Sequence, residues 1–139
     1  MITLEKKDSI YFLTMDAEEN RWNTTFVREI AKALDVIEKD EGPGALITAS
    51  TNQKFFSNGL DLEWMQAPEN YPEGGDREVF GEEFMYLMGR FITLPIPTVC
   101  AINGHSFGAG FMFALSHDVR IMREDKGFLC ANEMQLGLP

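Results

Sequence analysis

Two glycine-rich segments constrain the fold of this chain more than any other feature. The first is Phe55-Phe56-Ser57-Asn58-Gly59-Leu60-Asp61-Leu62, the second Asn103-Gly104-His105-Ser106-Phe107-Gly108-Ala109-Gly110. Each follows a short apolar run of strand character, Ala45–Ala49 and Thr98–Ile102, and each leads into a stretch of helical character. Strands that alternate with helices in this way are the mark of an α/β fold. Such turns also expose backbone N–H groups near a helix N-terminus, where a developing negative charge can be held.

The remaining elements are read around these two segments. Ile2–Glu5 and Ile10–Met15 are strands joined through the polar turn Lys6-Lys7-Asp8-Ser9. Asn23 caps a helix from about Thr24 to Lys39, with Phe26, Val27, Ile30, Ala31, Leu34 and Ile37 on its apolar face. Asp40-Glu41-Gly42-Pro43-Gly44 stops it. A short helix follows Asp61, and Gln66–Asp76, with two prolines and two glycines, reads as an exposed loop. A second long helix runs from about Arg77 to Thr93 and carries Phe80, Phe84, Leu87, Met88 and Phe91 on one face. With Met65 and Met85 that stripe either lines an acyl pocket or packs as core. Pro95 and Pro97 separate it from the next strand.

Gly104-His105-Ser106-Phe107-Gly108 has the form of the nucleophile elbow of serine hydrolases, with the expected strand before it and helix after it. That chemistry needs an acid and then a histidine further along. The only later histidine is His117, and Asp118 follows it in the wrong order. Ser106 is therefore not expected to be a nucleophile. Asp61 and Asp118 read as turn or cap residues, and His105 as structural or at a rim.

A second reading uses the whole constellation. Pro97-Thr98-Val99-Cys100-Ala101-Ile102-Asn103-Gly104, then Gly108-Ala109-Gly110, then Ala114-Leu115-Ser116-His117-Asp118, resembles the signature of the crotonase (enoyl-CoA hydratase/isomerase) superfamily. The segment from Phe55 to Leu62 resembles the first oxyanion loop of that family, and Asn20-Arg21-Trp22-Asn23 its early Asn-x-x-Asn stretch. The context of Glu133, Asn132-Glu133-Met134-Gln135-Leu136-Gly137, resembles the Δ3,Δ2-enoyl-CoA isomerases in particular. The resemblance runs from about Met1 to Pro139 in the family's order. It implies a crotonase-like spiral of ββα units, with residues 1–139 as a single core domain that lacks the C-terminal part of the family domain.

The resemblance also implies roles. The backbone N–H groups of Leu60 and Ala109 would form the oxyanion hole for a thioester carbonyl, and Glu133 would be the catalytic base. Ser57, Asn58, Gly59, Gly108, Gly110 and Met112 would line the substrate. Small residues at 108–110 let a thioester approach the backbone closely. Family hydratases use two glutamates, and the first of them corresponds here to Met112, which can neither deliver a proton nor orient water. One carboxylate suffices for a 1,3-proton shift, so an isomerase is expected. The alternatives are a hydratase or another crotonase activity, and a non-catalytic acyl-CoA-binding or scaffold protein. Arg21 could meet a CoA phosphate or stand as a surface arginine.

The resemblance implies an acyl-CoA thioester as partner, no cofactor beyond the coenzyme A of the substrate, and a homotrimer or dimer of trimers for a full-length protein. Composition agrees with a globular enzyme: 45% of residues are hydrophobic and 24% charged. A net charge of −10 argues against nucleic acid as a partner. No apolar run approaches a membrane span, and the N-terminus reads directly into a strand rather than a presequence. Cys100 and Cys130 form no CxxC or metal-ligand pattern and are expected as buried free thiols in a reducing compartment, peroxisome or cytoplasm.

Overall fold

A computed structural model describes residues 1–67 and 76–131 of the chain. Among these residues eight strands and four helices follow one another: β1 (Ile2–Lys7), β2 (Ile10–Met15), α1 (Thr24–Glu38), β3 (Ala45–Ser50), β4 (Phe55–Ser57), α2 (Leu62–Gln66), α3 (Phe80–Ile92), β5 (Thr98–Ile102), β6 (His105–Phe107), α4 (Ala109–Leu115), β7 (Val119–Met122) and β8 (Leu129–Cys130). They form two sheets. The larger has the order β1-β2-β3-β5-β7, and the smaller β4-β6-β8. From β3 onward each unit gives its first strand to the large sheet and its second to the small one. All pairings except the β1–β2 hairpin are parallel. This is an α/β spiral of ββα units.

Local chemistry explains the elements. Phe26 N–H donates to the Asn23 side chain at the start of α1, a standard N-cap. The buried face of α1 is Phe26, Val27, Ile30, Ala33, Leu34 and Ile37. Ala33 takes the place expected for Ala31, which is only half-buried. Lys6 and Lys7, expected in the turn, belong to β1 and pair with Tyr11 and Ile10. Asp8, at φ 54°, makes the turn in two residues with Ser9. The second long helix begins at Phe80 rather than near Arg77, since Glu78 N–H bonds to the Asp76 carboxylate and fixes a turn there. Of the expected loop Gln66–Asp76, residues 68–75 lie outside the described residues.

The core fills the space between the large sheet and helices α1, α3 and α4. Leu13, Met15, Leu46 and Cys100 from the sheet meet Ile30, Leu34, Leu87, Phe91 and Phe113 from the helices. Phe84, Leu87, Met88 and Phe91 are packed core, whereas Met85 is 57% exposed and lines nothing internal. Arg90 joins α3 to α1 through Asp35 and Glu38, at 2.7 and 2.8 Å. Cys100 is buried, and burial pushes its thiol up to about 12; Cys130 is only half-buried, contrary to expectation. Both are free. Among the described residues no helix is long and apolar enough to cross a membrane.

Candidate active site

The two glycine-rich segments form two of the three strands of the small sheet, β4 and β6, and the starts of α2 and α4. Strand β4 and strand β6 run side by side, with Ser57 opposite Ser106 and an irregularity between Phe55 and Ser57. Strands of two or three residues carry no readable alternation, and for that reason neither was foreseen as a strand. Beyond β4 the chain turns through Gly59 (φ 82°), and beyond β6 through Gly108 (φ 50°), conformations that L side chains rarely adopt.

The glycines let these turns touch. A Cβ on Gly59 would stand 2.8 Å from the Phe107 carbonyl oxygen and 3.8 Å from the Ala109 nitrogen. A Cβ on Gly110 would stand 2.5 Å from the Ser57 Cβ. The backbone from 57 to 60 therefore lies directly against the start of α4.

Among the described residues, backbone N–H groups without a backbone acceptor stand on both sides of this junction. Trp22 forms an isolated parallel bridge to Leu60. Trp22 N–H donates to the Gly59 carbonyl (2.8 Å), and Asp61 N–H donates to the Trp22 carbonyl (2.9 Å). The bridge uses the groups on either side of Leu60 N–H and leaves that N–H outside the pairing. Ala109 opens α4, whose N-cap Gly108 supplies no side-chain acceptor. The first N–H groups of a helix have no intrahelical partner. Among the described residues neither the Leu60 nor the Ala109 N–H donates to another group. Leu60 and Ala109 thus stand on the two turns that Gly59 and Gly110 let touch.

The other expected residues are placed as follows. Ser57 is fully buried, and its hydroxyl donates to the Asn20 carbonyl (2.7 Å) while accepting from the Trp22 indole N–H (3.0 Å) and Gly59 N–H (3.3 Å). Asn58 donates to Glu19 with both its side chain (2.7 Å) and its backbone (2.9 Å). Hydrogen bonds from Asn58 and Arg21 hold the Glu19 carboxyl below its ordinary range. Met112 is half-buried and packs against the core from the first turns of α4. Glu133 lies outside the described residues. Asp61 caps α2 by accepting from Trp64 N–H at 3.2 Å.

The serine-hydrolase alternative fails on geometry. Ser106 is fully buried, and its hydroxyl has no hydrogen-bond partner among the described residues. The His117 ring nitrogens are occupied by the Phe113 carbonyl (2.9 Å) and the Thr48 hydroxyl (2.8 Å), and burial pushes its pKa down to about 4. Asp118 accepts from the backbone and hydroxyl of Thr98, at 2.7 and 2.9 Å, which holds its carboxyl below the ordinary range. Neither residue faces Ser106 as a triad would require.

A groove of about 650 Å³ opens beside the first turn, lined by Glu18, Glu19, Arg21, Glu29, Asp61 and Glu63 among others. Arg21 within it is paired with Glu19 at 2.8 Å. What sequence reasoning missed is the part played by Asn20 and Trp22, both fully buried beneath the first turn. A tryptophan and an asparagine just ahead of a helix cap were the available signal.

Residues 5–139 match the family model for enoyl-CoA hydratase/isomerase. The chain belongs to the enoyl-CoA hydratase/isomerase family. It is 34% identical over its whole length to enoyl-CoA delta isomerase 3 of Arabidopsis thaliana, covering 58% of that protein. It is 35% identical over 99% of its length to the peroxisomal enoyl-CoA delta isomerase 2 of the same plant, again covering 58% of it. Among solved structures, an enoyl-CoA hydratase from Mycobacterium ulcerans superposes with a TM-score of 0.81 at 26% identity, over 98% of this chain and 57% of that one. The chain therefore spans a little over half the length of these family members.

Proposed function

We propose that this chain carries the thioester-activating half of a Δ3,Δ2-enoyl-CoA isomerase. The observation that carries the proposal is the juxtaposition of two unspent N–H donors, Leu60 and Ala109, across a glycine contact. Family membership and the delta isomerases among its relatives support the same reading.

In this reading the thioester carbonyl of a 3-enoyl-CoA accepts from both amides. Glu133 removes a proton from C2, the electron pair moves into a dienolate, and its charge rests on the oxygen between the two donors. The same carboxylic acid returns the proton at C4, leaving the conjugated 2-enoyl-CoA. One proton leaves and one arrives, so no further reactant is needed. Losing one such donor typically costs about 3–4 kcal/mol of transition-state stabilisation. Met112, standing where hydratases carry their other glutamate, disfavours the water that hydration would need. Coenzyme A enters as part of the substrate, with no separate cofactor. Assembly as a homotrimer or a dimer of trimers belongs to the same proposal. A peroxisomal or cytoplasmic setting, in fatty-acid β-oxidation, fits the peroxisomal relative.

The test is an assay of the full chain with 3-enoyl-CoA and 2-enoyl-CoA. Conversion of the first to the conjugated thioester, without hydration of the second, is expected. Hydration without isomerisation would make the protein a hydratase, and binding without turnover a non-catalytic acyl-CoA-binding protein. Glu133→Gln keeps the side chain's shape and removes its basicity. Turnover should then fall by about two orders of magnitude, with acyl-CoA binding retained.

A further inference from the structure

An oxyanion hole works only if its donors are aimed in advance, and the Leu60 donor sits on a turn with no helix to hold it. Its direction is fixed from elsewhere. The Gly59 carbonyl and Leu60 N–H belong to one peptide unit, and the described chain has no cis peptide bond. In a trans peptide these two groups point in opposite directions. Trp22 N–H grips the Gly59 carbonyl at 2.8 Å, so the Leu60 N–H must point away from Trp22.

The Trp22 side chain adds a second grip. Its indole N–H donates to the Ser57 hydroxyl, whose bonding capacity is thereby filled: one donor bond to Asn20 and two accepted bonds from Trp22 and Gly59. The indole ring meets Phe113 edge-on at 5.0 Å between centroids. Phe113 lies on α4, one turn beyond Ala109. One residue thus touches the segments that carry both donors. Phe26 and Phe84 pack on the same ring, each at 5.0 Å, and leave it no room to swing.

We propose that Trp22 and Ser57 are positioning residues for the oxyanion hole: the Trp22 main chain aims the Leu60 amide, while the indole–hydroxyl bond fixes the turn against α4. This deepens the functional reading above and rests on it. The substrate's charge is held by groups whose placement depends on a side chain 35 residues earlier in sequence than its partner.

Trp22→Phe keeps an aromatic ring and deletes the indole N–H; Ser57→Ala deletes the hydroxyl. In the full chain each should lower kcat for 3-enoyl-CoA about tenfold with KM nearly unchanged, since a small misplacement of catalytic groups is costly. The double variant should fall no further than Ser57→Ala alone. Acetoacetyl-CoA, whose enolate absorbs in the near ultraviolet, gives a second readout: each variant should bind it with less of the enolate form at a given pH. Unchanged kcat and unchanged enolate absorbance in folded Trp22→Phe would overturn the inference, as would a rise in KM at constant kcat. If Ser57→Ala does not fold, Trp22→Phe decides alone. If the unmodified protein neither isomerises 3-enoyl-CoA nor binds acetoacetyl-CoA, the functional reading has failed. The positioning claim is then decided by NMR, where the Leu60 amide resonance must shift in Trp22→Phe and an unmoved one refutes it.

Discussion

Ser57 and Ser106 face each other across the small sheet, are both fully buried, and have opposite hydrogen-bonding fates. Among the described residues the Ser57 hydroxyl makes three bonds, and the Ser106 hydroxyl makes none. The histidines repeat the contrast. His117 has partners for both ring nitrogens, whereas His105 keeps a buried Nδ1 with no partner among the described residues, amid the rings of Phe55, Phe107 and Phe128. The first glycine-rich turn is held by a distant segment through side chain and main chain together, the Trp22 indole on Ser57 and the Trp22 N–H on the Gly59 carbonyl. The second is held by backbone bonds, Ser106 N–H to Phe128 and Gly108 N–H to Cys130, both at 2.9 Å. The two turns are therefore held by different neighbours, only the first by a side chain, and they should fail to different substitutions.

The strongest challenge is at the contact between the turns. Gly110→Ala places a methyl group 2.5 Å from the Ser57 Cβ and 2.6 Å from its hydroxyl oxygen. Alanine is otherwise favoured in a helix, so any loss reports the contact itself. Turnover should drop about a hundredfold, and stability by about 3 kcal/mol from overpacking. Steady-state kinetics and denaturant unfolding check the two. Unchanged values would mean that the turns do not press on one another.

His117 gives the next largest effect. Its folded pKa of about 4 lies below its ordinary 6.5 because burial disfavours the charged ring. Between those values the unfolded chain binds more protons than the folded one, so folding stability rises with pH. The contribution is fully present above pH 6.5 and is lost as pH falls to about 4, a span worth ~3 kcal/mol. Unfolding midpoints across that window, compared with those of His117→Gln, isolate it. A variant with the same pH slope as the parent would show that His117 carries no buried neutral ring.

Ser57→Ala should cost about 2 kcal/mol, because two buried N–H donors lose their acceptor and a carbonyl loses its donor. The loss should be read from unfolding in denaturant, independently of activity. A cost below about 0.5 kcal/mol, the level of an ordinary surface change, would remove the contrast between the serines.

How far the sequence disclosed this arrangement depended on the range of each signal. Helix α1 was legible because Asn23 and the spacing of Phe26, Val27, Ile30, Leu34 and Ile37 are local. So were β2, β3 and β5, with boundaries shifted by a residue at most. The small sheet was not, since β4, β6 and β8 have two or three residues and draw their order from pairing. Leu60 and Ala109 were reached through family resemblance. Their unspent N–H groups are a property of the folded backbone that no side chain announces. The tie between Trp22 and Ser57 is a long-range contact, invisible to periodicity. Asp118, read as a turn or cap residue, stands in the bend before β7, and its partner Thr98 was not legible.

The smallest effect is the sharpest test of the contrast, because its sign is unusual. Removing a buried hydroxyl normally costs stability, since a bonded partner is left unsatisfied. Ser106 has no such partner among the described residues, and its hydroxyl stands in a fully buried position. Burying an unbonded hydroxyl is itself unfavourable by about 1–3 kcal/mol. Ser106→Ala should therefore leave the protein as stable as before or more stable by about 1 kcal/mol. Turnover should stay close to normal, because the Ala109 donor is held by the Gly108 turn and by backbone bonds on either side of Ser106. A fluorophosphonate should fail to label Ser106 in the parent protein. A loss of stability matching that of Ser57→Ala would mean that Ser106 holds a bond of its own and the two serines do the same job. Covalent labelling at Ser106 would go further and reopen the hydrolase chemistry that its burial excludes.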